Sequence, residues 1–343
     1  MKLSIGIVGL PNVGKSTLFN SLLKKQVALE ANYPFATIDP NVGIIEVPDE
    51  RLTTLAEIVH TKKIVPAAVE FYDIAGLVKG ASQGEGLGNQ FLSHIREVAA
   101  IAHVVRIFED KDIIHVANQV NPVDDIKTIE TELILADLQT LNKQKEPKGT
   151  SAPKEAFLAY ESVRKLIAGL NEGKPAREVP LTHDEHDSIR PLNLITMKPV
   201  IFCFNCSLEQ LENPENTTNY IKTILDQAQN TNASFLLFNP LEESTLNHLI
   251  QKAYDTLGLI SFLTAGEKEA RAWTVRRGEL APQAAGAIHT DFEKKFIKAD
   301  VVKFDDFVAA QGWHGAREKG KAIICGKDYV MQDGDVVEFK IGA

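Results

Sequence analysis

The stretch Gly9-Leu-Pro-Asn-Val-Gly14-Lys15-Ser16 decides the fold. It fits G-x-x-x-x-G-K-[ST] and stands between the apolar run Ile5-Gly-Ile-Val8 and a helical pattern opening Thr17-Leu-Phe-Asn20. That strand–loop–helix setting is the one a phosphate-binding loop requires. The glycines let backbone N–H groups face β- and γ-phosphates, the helix N-terminus adds its partial positive charge, and Lys15 neutralises phosphate. The nucleotide-binding residues expected here are Asn12, Val13, Gly14, Lys15, Ser16 and Thr17, with the Ser16 hydroxyl as a Mg²⁺ ligand.

Working outward, short β-rich runs at Leu3 to Val8, Val42 to Val47, Ala68 to Asp73 and Val104 to Phe108 alternate with helical patterns at Ser16 to Lys24 and Gln90 to Ala102. Alternation of this kind predicts an α/β fold with a mostly parallel sheet. Asp73-Ile-Ala-Gly76 ends the third run, which places the Asp73 carboxylate beside Mg²⁺ and the Gly76 N–H where a γ-phosphate would sit. Thr37, in Tyr33-Pro-Phe-Ala-Thr37, is the candidate for the first switch and a second metal ligand.

The sheet pattern resumes at Pro199 to Phe204 and Ala233 to Phe238, so the nucleotide domain is expected over 1–120 and 196–262, with a helical insert over 121–195. The insert opens Asn121-Pro122-Val-Asp124-Asp125, an N-cap, a proline at the first helical position and acids in the first turn. Ile126, Ile129, Leu133 and Ala136, then Phe157, Tyr160, Val163, Ile167 and Leu170, recur at helical spacing and predict a hairpin of two helices. Residues 263–343 read as a small separate α/β domain, with a helix over Asp291 to Phe296. Asp333-Gly334 is a hairpin signal there, between Tyr329-Val-Met and Val336 to Ile341.

Composition agrees. The 343 residues suit two or three domains of roughly 100–200 residues each, and 44% hydrophobic with 24% charged residues is ordinary for a globular chain. No apolar run is long enough to span a membrane, and Met1-Lys2-Leu3-Ser4 passes straight into a strand pattern without the parts of a secretory leader. Three cysteines cannot build a disulfide framework, so a reducing, cytoplasmic setting is expected. The net charge of −9 opposes broad DNA or RNA binding. The excess lies in residues 1–260, with 24 basic and 33 acidic side chains, whereas 261–343 balances 13 against 13 and leaves room for a local basic face.

Three longer stretches carry a family likeness: Gly9 to Asn20, Asn32-Tyr-Pro-Phe-Ala-Thr-Ile-Asp-Pro-Asn41, and Asp73 to Ser82 continuing through Gly84-Glu-Gly-Leu-Gly-Asn-Gln-Phe91. With them the chain resembles the YchF family, the Obg-like ATPases of the translation-factor class of P-loop GTPases. The resemblance covers nearly the whole length; the insert matches the family's helical arm, and 263–343 its C-terminal TGS, β-grasp-like domain. It implies Mg²⁺-dependent ATP hydrolysis and association with the ribosome; the large subunit and rRNA are the expected partners, a monomer is expected, and no membrane or DNA partner is. It also implies a water-orienting role for His115, in Asp112-Ile-Ile-His115-Val, while Asn12 matches the asparagine with which related potassium-dependent GTPases hold a K⁺. A histidine in an apolar run is equally what a packed side chain looks like. Leu77 follows Gly76 where a water-positioning glutamine would stand in Ras-like proteins, and an apolar side chain cannot orient a nucleophile.

Base recognition departs from the guanine-reading pattern. No Asn-Lys-x-Asp is present; Asn205-Cys-Ser-Leu-Glu209 follows the strand, leaving Asn205 as an adenine contact and Glu209 one residue later than the family's Asn-x-x-Glu. ATP is therefore expected to bind at least as tightly as GTP. A nucleotide-loaded protein-binding switch with incidental hydrolysis, and a true GTPase, share the same phosphate motifs. Cys203-Phe-Asn-Cys206 lies in a strand pattern without a second pair and reads as packing, and His183-Asp-Glu-His186 as a solvated connector. Gly84-x-Gly-x-Gly88 lacks the strand a dinucleotide fingerprint needs.

Overall fold

The computed structural model describes residues 4–25, 41–74, 87–109, 120–147, 153–230 and 233–342. They fall into two compact units, one within 1–24, 38–43 and 70–249, the other within 25–37, 44–69 and 250–343. The strands are β1 (Ser4–Val8), β2 (Val42–Glu46), β3 (Ile64–Val65), β4 (Ala68–Asp73), β5 (Ala100–Arg106), β6 (Val200–Asn205) and β7 (Ser234–Phe238). Then come β8 (Leu259–Ala265), β9 (Ala270–Arg276), β10 (Phe296–Lys303), β11 (Ile323–Cys325) and β12 (Asp335–Ile341). The helices that matter below are α1 (Lys15–Leu23), α2 (Arg51–Ile58), α3 (Leu87–Glu97), α4 (Pro122–Leu141), α5 (Lys154–Asn171), α6 (His183–Ile189), α7 (Leu208–Glu212), α8 (Pro214–Gln227) and α9 (Glu243–Thr256).

The first sheet runs β2-β4-β1-β5-β6-β7, with β1 parallel to β4 and β5, and β5, β6 and β7 parallel in turn. Chain order runs to one side of β1 through β2 and β4, and to the other through β5 to β7. The reversal thus falls at the carboxyl end of β1, where open α/β sheets take their ligands. Register carries the chemistry to that edge: Ile7 pairs with Asp73, Arg106 with Asn205 and Asn205 with Phe238.

β5 begins at Ala100, inside the stretch whose pattern suggested a continuing helix. All seven of its residues are buried. A central parallel strand covered on both faces has no polar alternation to reveal it, and Ala-Ile-Ala alone suits either element.

The two helices expected after Asn121 form as α4 and α5. Asn121 caps α4 by accepting the Asp124 N–H at 3.3 Å. α4 buries two stripes. Ile129, Leu133 and Ala136 pack with Ile95 of α3 and Val8 of β1, while Ile134 and Leu141 pack with Val163, Leu166 and Leu170 of α5. Each leucine, isoleucine or valine among them contributes about 1.5–3 kcal/mol on full burial. Asp137 on the same helix is fully buried and accepts N–H groups of Ile195 (2.9 Å) and Thr196 (2.7 Å) and the Thr196 hydroxyl (2.7 Å). Burial pushes its carboxyl up, against those hydrogen bonds.

His183–His186 is helical rather than a connector. Thr182 and Glu185 form a capping box that starts α6, and Glu185 pairs with Lys165 of α5. The T-x-x-E spacing was the available signal.

The second unit's sheet runs β11-β10-β12-β8-β9-β3. Asp333-Gly334 does not close a hairpin there. β12 pairs antiparallel with β10 and parallel with β8, while Tyr329–Met331 forms only a bridge from Val330 to Leu280. The Asp333 carboxylate accepts the Ser261 N–H (2.9 Å), and the Gly334 N–H donates to the Ser261 carbonyl (2.8 Å). These long-range bonds use the turn to seat β12 beside β8. Arg51 of α2 fixes the same corner, donating to Asp49 twice at 2.8 Å and to Asp333 at 2.7 Å. The helix expected over Asp291 to Phe296 spans Thr290–Lys294, since Phe296 already belongs to β10.

Candidate functional site

The phosphate loop leaves β1 at Gly9 and enters α1 after Gly14. Its glycines answer two steric demands. A Cβ on Gly9 would lie 2.5 Å from the Val104 carbonyl oxygen, and Gly14 has φ +102° with the Asn205 amide against the place a Cβ would occupy. Asn12 has φ 63°, a left-handed conformation that asparagine tolerates better than most residues. Val13 is buried and anchors the loop, whereas Asn12, Ser16 and Thr17 are exposed. Gly14 offers α1 no side-chain cap, and no acid stands in its first turn. The first N–H groups of the helix are thus left for an anion.

Lys15 is buried and donates from Nζ to the Leu10 carbonyl at 2.7 Å. Burial lowers its pKa to about 8, partly offset by the Asp73 charge. Asp73 ends β4 half-buried, and its carboxyl is pushed up by burial and held back by Lys15. Its N–H donates to the Asn41 carbonyl at 2.9 Å. A hydroxyl at Ser16 and a carboxylate at Asp73 form a hard oxygen donor set beside an anion cradle, which suits Mg²⁺. Ser16, Asp73 and the cradle thus fit a nucleotide-bound divalent cation.

Asn205 ends β6, buried, and its Nδ2 donates to the Val13 carbonyl at 2.9 Å. The loop beyond it is pinned by hydrogen bonds. Ser207 and Gln210 form a capping box at the start of α7, and Gln210 Nε2 also donates to the Ile107 carbonyl at 3.0 Å. The parallel loop after β7 is tied to it: the Cys206 N–H donates to the Phe238 carbonyl at 3.0 Å, and Asn239 Nδ2 donates to the Cys206 carbonyl at 2.9 Å. Asn239 Oδ1 accepts the Leu241 N–H at 3.0 Å, an Asx turn that sets the tip of that loop. Glu209 sits exposed in the first turn of α7.

Sequence reasoning missed the Gln210 half of this lock, although Ser207-x-x-Gln210 is a readable capping box. It also missed Arg106, which is register-paired with Asn205 and almost fully buried. Its Nε donates to the Phe108 carbonyl at 2.9 Å, and the guanidinium lies 4.7 Å from the Phe108 ring centroid. Nothing in the local pattern marks an arginine at a strand end as buried. Cys203 and Cys206 are both buried, and burial pushes both thiols up, Cys206 to about 11. Neither is a ready nucleophile or metal ligand. The remaining expected site residues, Thr37, Gly76, Leu77 and His115, lie outside the described residues. Among the described residues, no helix is long and apolar enough to cross a membrane.

Comparison with known proteins accords with this arrangement. Residues 4–143 match the MMR_HSR1 family, described as "50S ribosome-binding GTPase", and residues 259–342 match YchF-GTPase_C, described as "Protein of unknown function (DUF933)". The chain is 47% identical to the ribosome-binding ATPase YchF of Bacillus subtilis and 45% identical to that of Escherichia coli O157:H7, in both cases over 99% of each chain. The solved structure of the Schizosaccharomyces pombe YchF GTPase superposes with a TM-score of 0.84 at 37% identity, covering 99% of this chain and 98% of that one. With full-length identity at that level, and a P-loop whose neighbours Asp73 and Asn205 stand at the same sheet edge, the chain belongs to the YchF family of P-loop nucleotide hydrolases.

Proposed function

We propose that this protein is a Mg²⁺-dependent ATPase whose nucleotide state governs its docking on the ribosome. The observation that carries the reading is the clasp between Asn205 and the phosphate loop, which couples the base side of the site to the phosphate side while no carboxylate falls three residues after Asn205. The printed names of the bacterial relatives, ribosome-binding ATPases, supply the partner.

In this reading the first N–H groups of α1 bind the phosphates, and Lys15 leaves the Leu10 carbonyl to neutralise them. Ser16 and Thr37 hold Mg²⁺, and Asp73 supports it through water. When bound, Mg²⁺ would supply positive charge against the phosphates held by Lys15 and the first N–H groups of α1. The Gly76 N–H meets the γ-phosphate, and Leu77 leaves water orientation to His115. Asn12 stands exposed beside the phosphates, where a K⁺ would supply the positive charge that an arginine finger gives elsewhere. The protein acts in the cytoplasm as a monomer. Its helical insert (121–195) and its C-terminal TGS-like domain face the large subunit and rRNA. On the C-terminal segment Arg271, Arg276, Arg277, Lys294, Lys295 and Lys298 offer cations for a few phosphates, so binding weakens with salt less steeply than for a dedicated nucleic-acid binder.

Co-sedimentation of the full-length protein with ribosomes in the ATP-, ADP- and nucleotide-free states tests the reading. Nucleotide-dependent sedimentation is expected, and indifference to nucleotide would leave only an ATPase. A GTPase reading finds support in the printed name of the fission yeast relative. A tenfold or greater preference for GTP in competition titrations would favour it over the ATPase.

A further inference from the structure

Two leucines flank the base side of the nucleotide site in an unusual state. Leu241 is 78% exposed and Leu208 is 53% exposed, the two highest values among the large hydrophobic side chains of the first unit's described residues. A single exposed leucine needs no explanation. Their positions are related through the register: Asn205 and Phe238 face each other in the parallel β6–β7 pair, and Leu208 and Leu241 each stand three residues beyond it. Neighbouring strands lie about 4.8 Å apart. The two side chains therefore rise from adjacent loops at the carboxyl edge that carries Asn205.

Both positions are locked. Leu208 is the first residue of α7, directly after the Ser207 cap, and Leu241 donates its N–H to Asn239 Oδ1. The loops themselves are cross-bonded through Cys206, Phe238 and Asn239. Glu209 cannot exchange places with Leu208, because moving the helix start by one residue would open the Ser207–Gln210 capping box and release Gln210 from Ile107.

We propose that Leu208 and Leu241 form an apolar clamp on the purine ring of the bound nucleotide. The ring is held by burial of its faces and edge against aliphatic carbon, and no carboxylate at position 208 reads the guanine N1–H and 2-amino group. The clamp discriminates purines from pyrimidines by area, and adenine from guanine only weakly. It rests on the nucleotide-hydrolase reading above and specifies how that site chooses its substrate.

The test uses the full-length protein with fluorescent ATP and GTP analogues, unlabelled CTP as competitor, and inorganic tripolyphosphate as a probe of the phosphate loop alone. Wild-type protein is expected to bind ATP and GTP within several-fold of each other and CTP more weakly. Leu208→Ser and Leu241→Ser should each weaken ATP and GTP together by about tenfold, the effect of exposing one leucine's worth of apolar area, and leave tripolyphosphate unchanged. Both leucines are exposed, so thermal melts of the variants should match wild type. If either serine variant binds both purine nucleotides within twofold of wild type, or loses tripolyphosphate in step with them, the clamp is wrong. If wild-type protein binds neither nucleotide nor tripolyphosphate, the hydrolase reading itself fails.

Discussion

The side-chain amide of Asn205 donates to the main-chain carbonyl of Val13 across 2.9 Å, joining residues 192 positions apart in the chain. A buried carbonyl left without its donor costs about 1–3 kcal/mol. Asn205→Ala should therefore loosen the phosphate loop and weaken ATP and GTP alike, by about tenfold on this scale. Titration with both nucleotides checks it; a loss confined to ATP would mean that Asn205 acts by reading adenine rather than by holding the loop.

Gly14→Ala combines a backbone conformation at φ +102° with a Cβ driven into the Asn205 amide. Strain of that kind costs on the order of 1–3 kcal/mol. The variant should keep its fold, with a lowered Tm by circular dichroism, and lose nucleotide binding. Wild-type affinity in this variant would show that the loop adopts another conformation when occupied.

Lys15 titrates near pH 8 because burial disfavours its charge. A triphosphate favours the charged form and raises that pKa on binding. Below about pH 8 Lys15 already carries its proton. Above it the proton must be taken up with the nucleotide, so affinity falls as pH rises. Calorimetry in two buffers of different ionisation enthalpy should show proton uptake growing from about pH 7 to about pH 9. Lys15→Arg, whose side chain stays charged, should remove that dependence.

His103 is buried in β5, its ring 5.3 Å from that of Phe202, and burial lowers its pKa to about 3, with Arg177 and Lys15 adding to the effect. The folded state refuses a proton that the unfolded chain binds near pH 6.5. The neutral ring's contribution is intact above pH 6.5 and is lost as pH falls toward 3, at about 1.4 kcal/mol per pH unit. Denaturant melts between pH 7 and pH 5 should fall more steeply for wild type than for His103→Phe. Parallel slopes would show that the imidazole is protonated in the fold.

Short-range pattern was legible along the chain. The strand–loop–helix around Gly9 to Ser16, the capped start of α4, the paired helical stripes of the insert and the placement of Asp73 at a strand end all follow from spacing and local hydrogen bonding. Those features depend on residues a few positions apart, which a linear reading holds together. The tertiary structure decided the rest. Ala100–Ala102 became strand because β1 and β6 cover it on both sides, and Asp333-Gly334 bonded to Ser261 instead of closing a hairpin. Asn205 turned its amide to Val13, and Lys15 acquired its lowered pKa from the residues that exclude water around it. Burial and long-range pairing are properties of what packs against a residue, and no local window of sequence contains the partner.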